Sequence, residues 1–186
     1  MLLFNYLLLQ RQLIGFGWNE LMTRDKKRVL YQLLGLLVPF LTLISPAWIS
    51  ISGVGPRWAE IWLLPWALEE GPVAGVFAGF CLGIVLDGIN LDGSTQLPVL
   101  ILFGYWWGCL GRKNKFSDRS FVLGFLILFG SFISGLSIWL QTIFQVDGIF
   151  FNAWSFYTVL AGSIVSGLIA PLLCTLSLNI FFKGKS

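Results

Sequence analysis

Side chains able to carry out chemistry are few in this chain and lie far apart. Its 186 residues include no histidine, which removes the most common general base and metal ligand. The cysteines Cys81, Cys109 and Cys174 lie in apolar runs without zinc or redox spacing, so we interpret them as small core residues. There is also no Ser/His/Asp or Cys/His set and no phosphate-binding glycine loop. We therefore predict no catalytic residue, no cofactor, no metal site and no enzymatic activity.

Charged side chains within apolar sequence are the next candidates, because such residues often mark function in a membrane protein. Arg57 and Glu60 lie three residues apart in a short apolar stretch. We expect them to form a pair whose charged ends snorkel toward water. Glu69 and Glu70 precede a turn, where acids favourably meet the dipole of the following helix, so we interpret their role as local.

Glycines recur at every fourth position in one apolar stretch and continue with similar spacing in the next. The first series is Gly71, Gly75, Gly79 and Gly83, closed by Asp87, and the second is Gly104, Gly108 and Gly111. Four residues advance a helix by about 400°, so each series forms one slowly drifting stripe. Glycine lets another helix approach closely, which predicts either packing of the two stripes within the bundle or an interface for a partner. Asp87 is expected to be hydrated or to cap the following turn.

The composition requires a lipid environment. Hydrophobic residues make up 56% of the chain and charged residues 11%, with a mean hydropathy of +0.82. A soluble domain carries about 25% charged residues, so this chain has too little polar surface to belong to that class. We predict a multi-pass membrane protein whose first partner is the bilayer, with no nucleic-acid partner.

Six apolar stretches are candidates to cross the membrane, since a span needs about 20 residues and sometimes as few as about 17. They are Val29–Trp48, Arg57–Leu68, Pro72–Leu86, Leu97–Gly111, Phe121–Phe144 and Trp154–Phe182. Pro39 is expected to kink the first, and the second is too short to span alone. Ser50–Pro56, Asp87–Gln96 and Gln145–Asn152 are interpreted as turns at the outer surface.

Basic residues supply an independent test of this count. Eleven of the twelve fall on three segments: Arg11 to Arg28, Arg112 to Arg119, and the tail with Lys183 and Lys185. The positive-inside rule places all three in the cytoplasm, which requires an even number of spans between them. The six stretches supply four and then two, although skipping both short stretches also satisfies this parity. We predict an all-α six-helix bundle with a cytoplasmic segment 1–28, one membrane domain 29–182 and a tail 183–186.

The N-terminal segment and the tryptophans complete this description. Residues 1–9 form either an amphipathic surface segment or part of a misassigned start, in which case translation begins at Met22. Several tryptophans are expected in belts near the membrane surfaces, namely Trp48, Trp58, Trp106, Trp107 and Trp154.

Three of these features resemble the MreD family of the bacterial rod-shape system over roughly residues 29 to 182. They are the proline-led, tryptophan-rich segment 56–66, the glycine-stepped helix closing on Asp87, and the polar turn 88–93 leading to Gly104 and Tyr105. The resemblance implies a non-enzymatic scaffold of the elongasome in the bacterial cytoplasmic (inner) membrane. It also implies binding to a bitopic MreC-like protein, coupling MreB filaments to peptidoglycan synthesis and cell shape, with the partner contact placed on the glycine stripe and Asp87.

A second reading is a substrate-binding membrane component of a vitamin-type transporter, which MreD-like proteins resemble in fold. Such a component needs a polar pocket open to the outside. The sequence offers few side chains to line one beyond Asn90, Gln96, Gln141 and scattered serines, which favours the scaffold.

Overall fold

A computed structural model describes residues 26–44, 50, 54–90, 94–113, 120–145 and 153–182 as a bundle of helices. The six helices are α1 (Lys26–Ile44), α2 (Trp58–Glu70), α3 (Pro72–Ile89), α4 (Leu97–Lys113), α5 (Ser120–Gln145) and α6 (Ala153–Ser177), the last continued by a π-helical turn, Leu178–Phe182. Each predicted stretch corresponds to one of these helices, so the all-α membrane bundle is confirmed. Lys26 to Arg28 already belong to α1, and residues 1–25 lie outside the described part.

The outer surface of the bundle is apolar. Phe121 is 92% exposed and Val73 81%, as expected for side chains that contact lipid in place of water. In the described ranges, four helices are long and apolar enough to cross a membrane: α1, α3, α5 and α6. α2 has 13 residues and α4 has 17, so the two shortest helices depend on their neighbours for their position.

Pro39 interrupts α1 as expected. The helix tightens into a turn at Leu36 and Leu37, where the N–H of Leu36 donates to the carbonyl of Leu33 at 3.1 Å and that of Leu37 to Leu34 at 3.0 Å. Proline has no N–H and its ring crowds the carbonyl four residues earlier, which explains a break just before it.

The short helix α2 is the centre of the bundle. It packs against every other helix, and Leu63, Leu64 and Ala67 are fully buried. Apart from Glu60, residues 58–68 are apolar on all sides, which is the pattern of a helix surrounded by protein. The stretch that the sequence shows to be too short to span alone is therefore the one around which the other helices assemble.

Aromatic rings attach α1 to α2. Tyr31 stacks on Trp62 with ring centroids 5.2 Å apart, its O–H donates to the Trp62 carbonyl at 2.9 Å, and the Trp62 indole N–H donates back to the Tyr31 carbonyl at 3.2 Å. Another tryptophan also lies inward: Trp107 is fully buried and stacks on Phe103 at 4.9 Å. The expected surface belt is therefore wrong for Trp107.

Trp58 and Trp106 are half-buried against the core. The placement of Trp48 and of the Trp154 side chain lies outside the described part.

Apart from Arg57, the described basic residues gather at one end of the bundle, which we call the basic end. Arg28, in the first turns of α1, pairs with Glu70 at the end of α2, with Nε and Oε1 2.9 Å apart. Gly111, in the last turn of α4, packs on Leu68, so Arg112 and Lys113 lie at this same end. The opposite end, where α3 ends and α4 begins, is called the far end below. This arrangement agrees with the parity argument from the basic clusters.

Candidate functional site

The start of α2 lies at mid-depth in the bundle. The N–H of Arg57, the residue before the helix, donates to Oγ of Ser166 at 2.9 Å, and Ser166 lies in the middle of α6. At 1.5 Å per residue, α2 is about 20 Å long, against about 30 Å for the hydrocarbon core. α2 therefore covers the distance from the basic end to the middle of the bundle and no further.

Non-helical chain leads into α2. Residues 54 to 57 precede α2 without helical structure, Pro56 is buried, and a methyl group of Val54 packs beside Gly162 of α6. Non-helical backbone at membrane depth is tolerated where protein buries it. The expectation of a surface turn at Ser50–Pro56 is therefore wrong for residues 54–56. The described part of this passage is therefore the half-length helix α2 together with the non-helical residues 54–57 that lead into it.

Glu60, in the first turn of α2, is a buried carboxylate at this depth. It is 3% exposed, and Oε2 accepts a hydrogen bond from the Ser131 hydroxyl at 2.5 Å. The hydroxyl of Ser134, one turn along α5, also interacts with this carboxylate. A carboxylate in the first turn lies at the positive end of the helix dipole, and the serines satisfy its oxygens. The dipole of α2 and the serine hydroxyls of α5 therefore both stabilise the Glu60 carboxylate at this position.

Arg57 is the charge partner of Glu60. Its Nη1 lies 3.9 Å from Oε1 of Glu60, and its side chain is 22% exposed against 4% for the glutamate. The predicted pair is confirmed, but the predicted snorkelling is wrong for Glu60, whose side chain is enclosed by the protein. The guanidinium reaches the backbone of α5, where Nη2 lies 3.1 Å from the position of a β-carbon built on Gly135.

A polar stripe on α5 connects this pair with the far end. It consists of Ser131, Ser134, Ser137 and Gln141, spaced three and four residues apart on one side of the helix. At the far end the side-chain amide of Gln141 donates to Ser137 at 3.3 Å and to the carbonyl of Thr95 at 2.9 Å. In the amino-acid sequence these serines look scattered among apolar residues. Their helical spacing was the signal that could have revealed them.

The predicted glycine stripes lie between α3 and α4. A β-carbon on Gly75 would overlap the carbonyl oxygen of Gly104, and one on Gly104 would overlap that of Gly75. Gly79 faces the carbonyl of Leu100 in the same way, and Gly83 faces the backbone of Leu97. Backbone contact this close is possible only without side chains, so these glycines pack the two helices together. Their side of α3 is covered by this chain's own α4.

The remaining glycines of the predicted set have different surroundings. Gly108 lies against the backbone of Gly71 and Pro72, so it joins α4 to the turn that begins α3. Gly71 has a φ of +92° and nothing within 4 Å of its missing side chain. Its role is conformational, because a side chain is strained at that φ and glycine is not.

Asp87 caps the next helix. Oδ1 accepts from the N–H of Gln96 at 2.7 Å and Oδ2 from that of Leu97, the first residue of α4, at 3.3 Å. These are backbone donors that a helix start leaves unpaired. The cap is one of the two roles expected for Asp87, and the residue belongs to the last turns of α3 and not to the loop after it.

The cysteines do not form a cluster. Cys174 is buried, with its thiol 3.6 Å from the carbonyl of Ile61, whereas Cys81 is exposed on α3 and Cys109 is half-buried. The expectation of core cysteines is therefore confirmed for Cys174 and wrong for Cys81. Within the described ranges, no group of three or more Cys, Asp or Glu side chains is placed to hold a metal ion.

The fold and the site define an all-α polytopic membrane protein with an ion pair buried at mid-depth. Compared with known proteins, the chain matches no family model, no curated protein and no solved structure.

Proposed function

We propose that this protein is a non-enzymatic scaffold of the bacterial elongation machinery in the cytoplasmic membrane. It binds a bitopic MreC-like partner, couples MreB filaments to the peptidoglycan synthases, and so contributes to cell shape. The proposal rests on the resemblance of the tryptophan-rich segment, the glycine-stepped helix and the following polar turn to the MreD family.

One structural observation supports the proposal. The described residues that carry the resemblance belong to one unit, in which α2 is the centre of the bundle and α3 and α4 pack backbone to backbone through Gly75 and Gly104. A rigid α2–α3–α4 unit suits a protein whose task is to hold partners in a set arrangement.

The position of the partner contact follows from which surfaces are free. The glycine side of α3 is covered by α4, so a partner that approaches α3 meets its opposite side, where Val73 and Phe77 are 81% and 70% exposed. A substitution at Gly75 is therefore expected to act through folding. A substitution at Phe77 leaves the packing intact and acts only on surface contacts.

The decisive experiment is co-purification from the host. Tagged protein should retain an MreC-like protein through a detergent wash, and depletion should round or widen the cells. A polytopic membrane protein of similar size, tagged and expressed at the same level, is the control for non-specific capture. Normal cell shape together with no such partner would refute the scaffold.

A second candidate is the substrate-binding component of a small-metabolite transporter, and one observation favours it. The structure gathers Ser131, Ser134 and Ser166 around the Arg57–Glu60 pair at mid-depth, where transporters place their substrate sites beside the starts of broken helices. These polar side chains are scattered along the sequence but lie together in the folded protein, which favours a transporter more than the sequence alone does.

Binding of radiolabelled vitamins to purified protein separates the two candidates. Micromolar, saturable binding that Arg57→Gln abolishes and Arg112→Gln does not would make the transporter the better proposal. Arg112 is the matched control because it is an exposed arginine at the basic end.

A further inference from the structure

We propose that Arg57 is the binding group for one small oxyanion, a carboxylate or a monoanionic phosphate ester, that reaches it from the far end of the bundle. This site is separate from the scaffold role and requires no contact with a protein partner.

The guanidinium of Arg57 has unused hydrogen-bonding capacity. An arginine side chain presents five N–H donors in a planar fork suited to an oxyanion. In the described part of the chain, no oxygen accepts a hydrogen bond from this fork, and the closest carboxylate oxygen, on Glu60, lies at 3.9 Å. That distance exceeds the reach of a hydrogen bond, about 3.2 Å at most. The side chain is 22% exposed, so these unfilled donors are open to an arriving oxyanion.

Hydrogen bonds from α5 keep the Glu60 carboxylate from moving closer to the Arg57 guanidinium. Ser131 donates to its carboxylate at 2.5 Å and Ser134 interacts with it from the same helix, so the carboxylate faces α5. The backbone of Arg57 is fixed in turn by Ser166 on α6. Two helices therefore hold the two charges apart at a set separation, and the guanidinium remains available.

The charge and the exposure of Arg57 both suit an anion that arrives from the far end. Arg57 is the one basic residue of the sequence outside the three basic segments, and within the described ranges an anion near the far end meets no other fixed cation. The side chain is 22% exposed although its backbone lies at mid-depth, and the polar stripe of α5 runs from Gln141 at the far end to Ser131 beside the pair. Glu60 contributes one negative charge nearby, which favours a monoanion over a dianion.

The test uses chemical modification of the unaltered protein. The full chain is reconstituted in phosphatidylcholine nanodiscs and treated with hydroxyphenylglyoxal, which reacts with accessible guanidinium groups. Mass spectrometry of peptides then gives the modification rates of Arg57 and of Arg112, an exposed arginine that serves as an internal control. The probes are acetate and dimethyl phosphate, each compared with chloride at the same ionic strength. Arg57→Lys, which does not react, confirms the peptide assignment.

We expect acetate or dimethyl phosphate to slow modification of Arg57 relative to Arg112 by about threefold or more. An anion bound to the guanidinium blocks the reagent for the fraction of time that the site is occupied. Protection that appears only when phosphatidylglycerol replaces part of the phosphatidylcholine also supports the site and identifies a lipid headgroup as the source. Equal rates with every anion and lipid, or an Arg57 that does not react under any condition, would overturn the proposal.

Discussion

The hydroxyl of Ser166 accepts a hydrogen bond from the N–H of Arg57 at 2.9 Å and donates one to the carbonyl of Gly162 at 2.7 Å. One side chain in the middle of α6 thus satisfies the backbone of the chain just before α2. This contact sets the depth at which the short helix begins. It also sets the depth of the charges carried by Arg57 and Glu60.

Ser166→Ala should therefore destabilise the bundle. It leaves the N–H of Arg57 without its acceptor at membrane depth, which costs about 1–3 kcal/mol. Ser163→Ala is the matched control, because the Ser163 hydroxyl is equally buried but bonds only to carbonyls of its own helix, Val159 and Leu160. The measurement is the free energy of unfolding in bicelles. Equal losses for the two variants would contradict the role given to Ser166.

Removing the buried carboxylate should cost more. Glu60→Ala leaves Arg57 without its counter-charge and Ser131 without its acceptor, and loss of one partner of a buried pair costs about 3–5 kcal/mol. Adding Arg57→Gln should recover part of that loss, because no uncompensated charge then remains. A double-mutant cycle of unfolding free energies measures the coupling. Strict additivity of the two losses would show that the charges do not interact.

Alanine at Gly75 should weaken the packing of α3 on α4. Its β-carbon would overlap the carbonyl oxygen of Gly104, and backbone atoms on both sides must shift, at about 1–3 kcal/mol. Gly88→Ala is the control in the same helix, since nothing lies within 4 Å of its missing side chain. That variant should be neutral or slightly more stable because alanine favours helix. Thermal unfolding in detergent compares the two, and a Gly75→Ala variant as stable as Gly88→Ala would refute the close contact.

The cap on α4 gives a graded prediction. Asp87→Ala removes the acceptor of the Gln96 and Leu97 N–H groups and should cost about 1 kcal/mol. Asp87→Asn keeps one acceptor oxygen and should retain more than half of the free energy that the cap contributes to stability. Hydrogen exchange at the first residues of α4 measures the fraying directly. Unchanged exchange in Asp87→Ala would rule out the capping role.

Local features of the sequence were sufficient for much of the fold. The six apolar stretches predicted six helices and Pro39 predicted the break in α1. Packing of the two glycine series against each other was one of the two alternatives that their spacing left open. Asp87 at the end of its stripe indicated a cap. Each of these follows from side-chain size, helical period or backbone chemistry within a few residues, which a single sequence displays directly.

The site could be predicted only in part. The pairing of Arg57 with Glu60 followed from their spacing, but its inward orientation did not, and the expected surface turn before it is in part the extended entry to the bundle. Ser131 lies 71 residues from Glu60 and Ser166 lies 109 residues from Arg57. No local pattern indicates that these residues meet. Nor does composition distinguish a tryptophan near the surface from the buried Trp107.

By itself, then, the sequence determined the membrane environment and the number of helices, because lipid solvation acts on each apolar segment separately. The tertiary structure alone decided that α2 is the central helix and begins at mid-depth with a charged pair. The physical reason is that this depth depends on which helices cover a short apolar segment. That is a property of packing between distant parts of the chain.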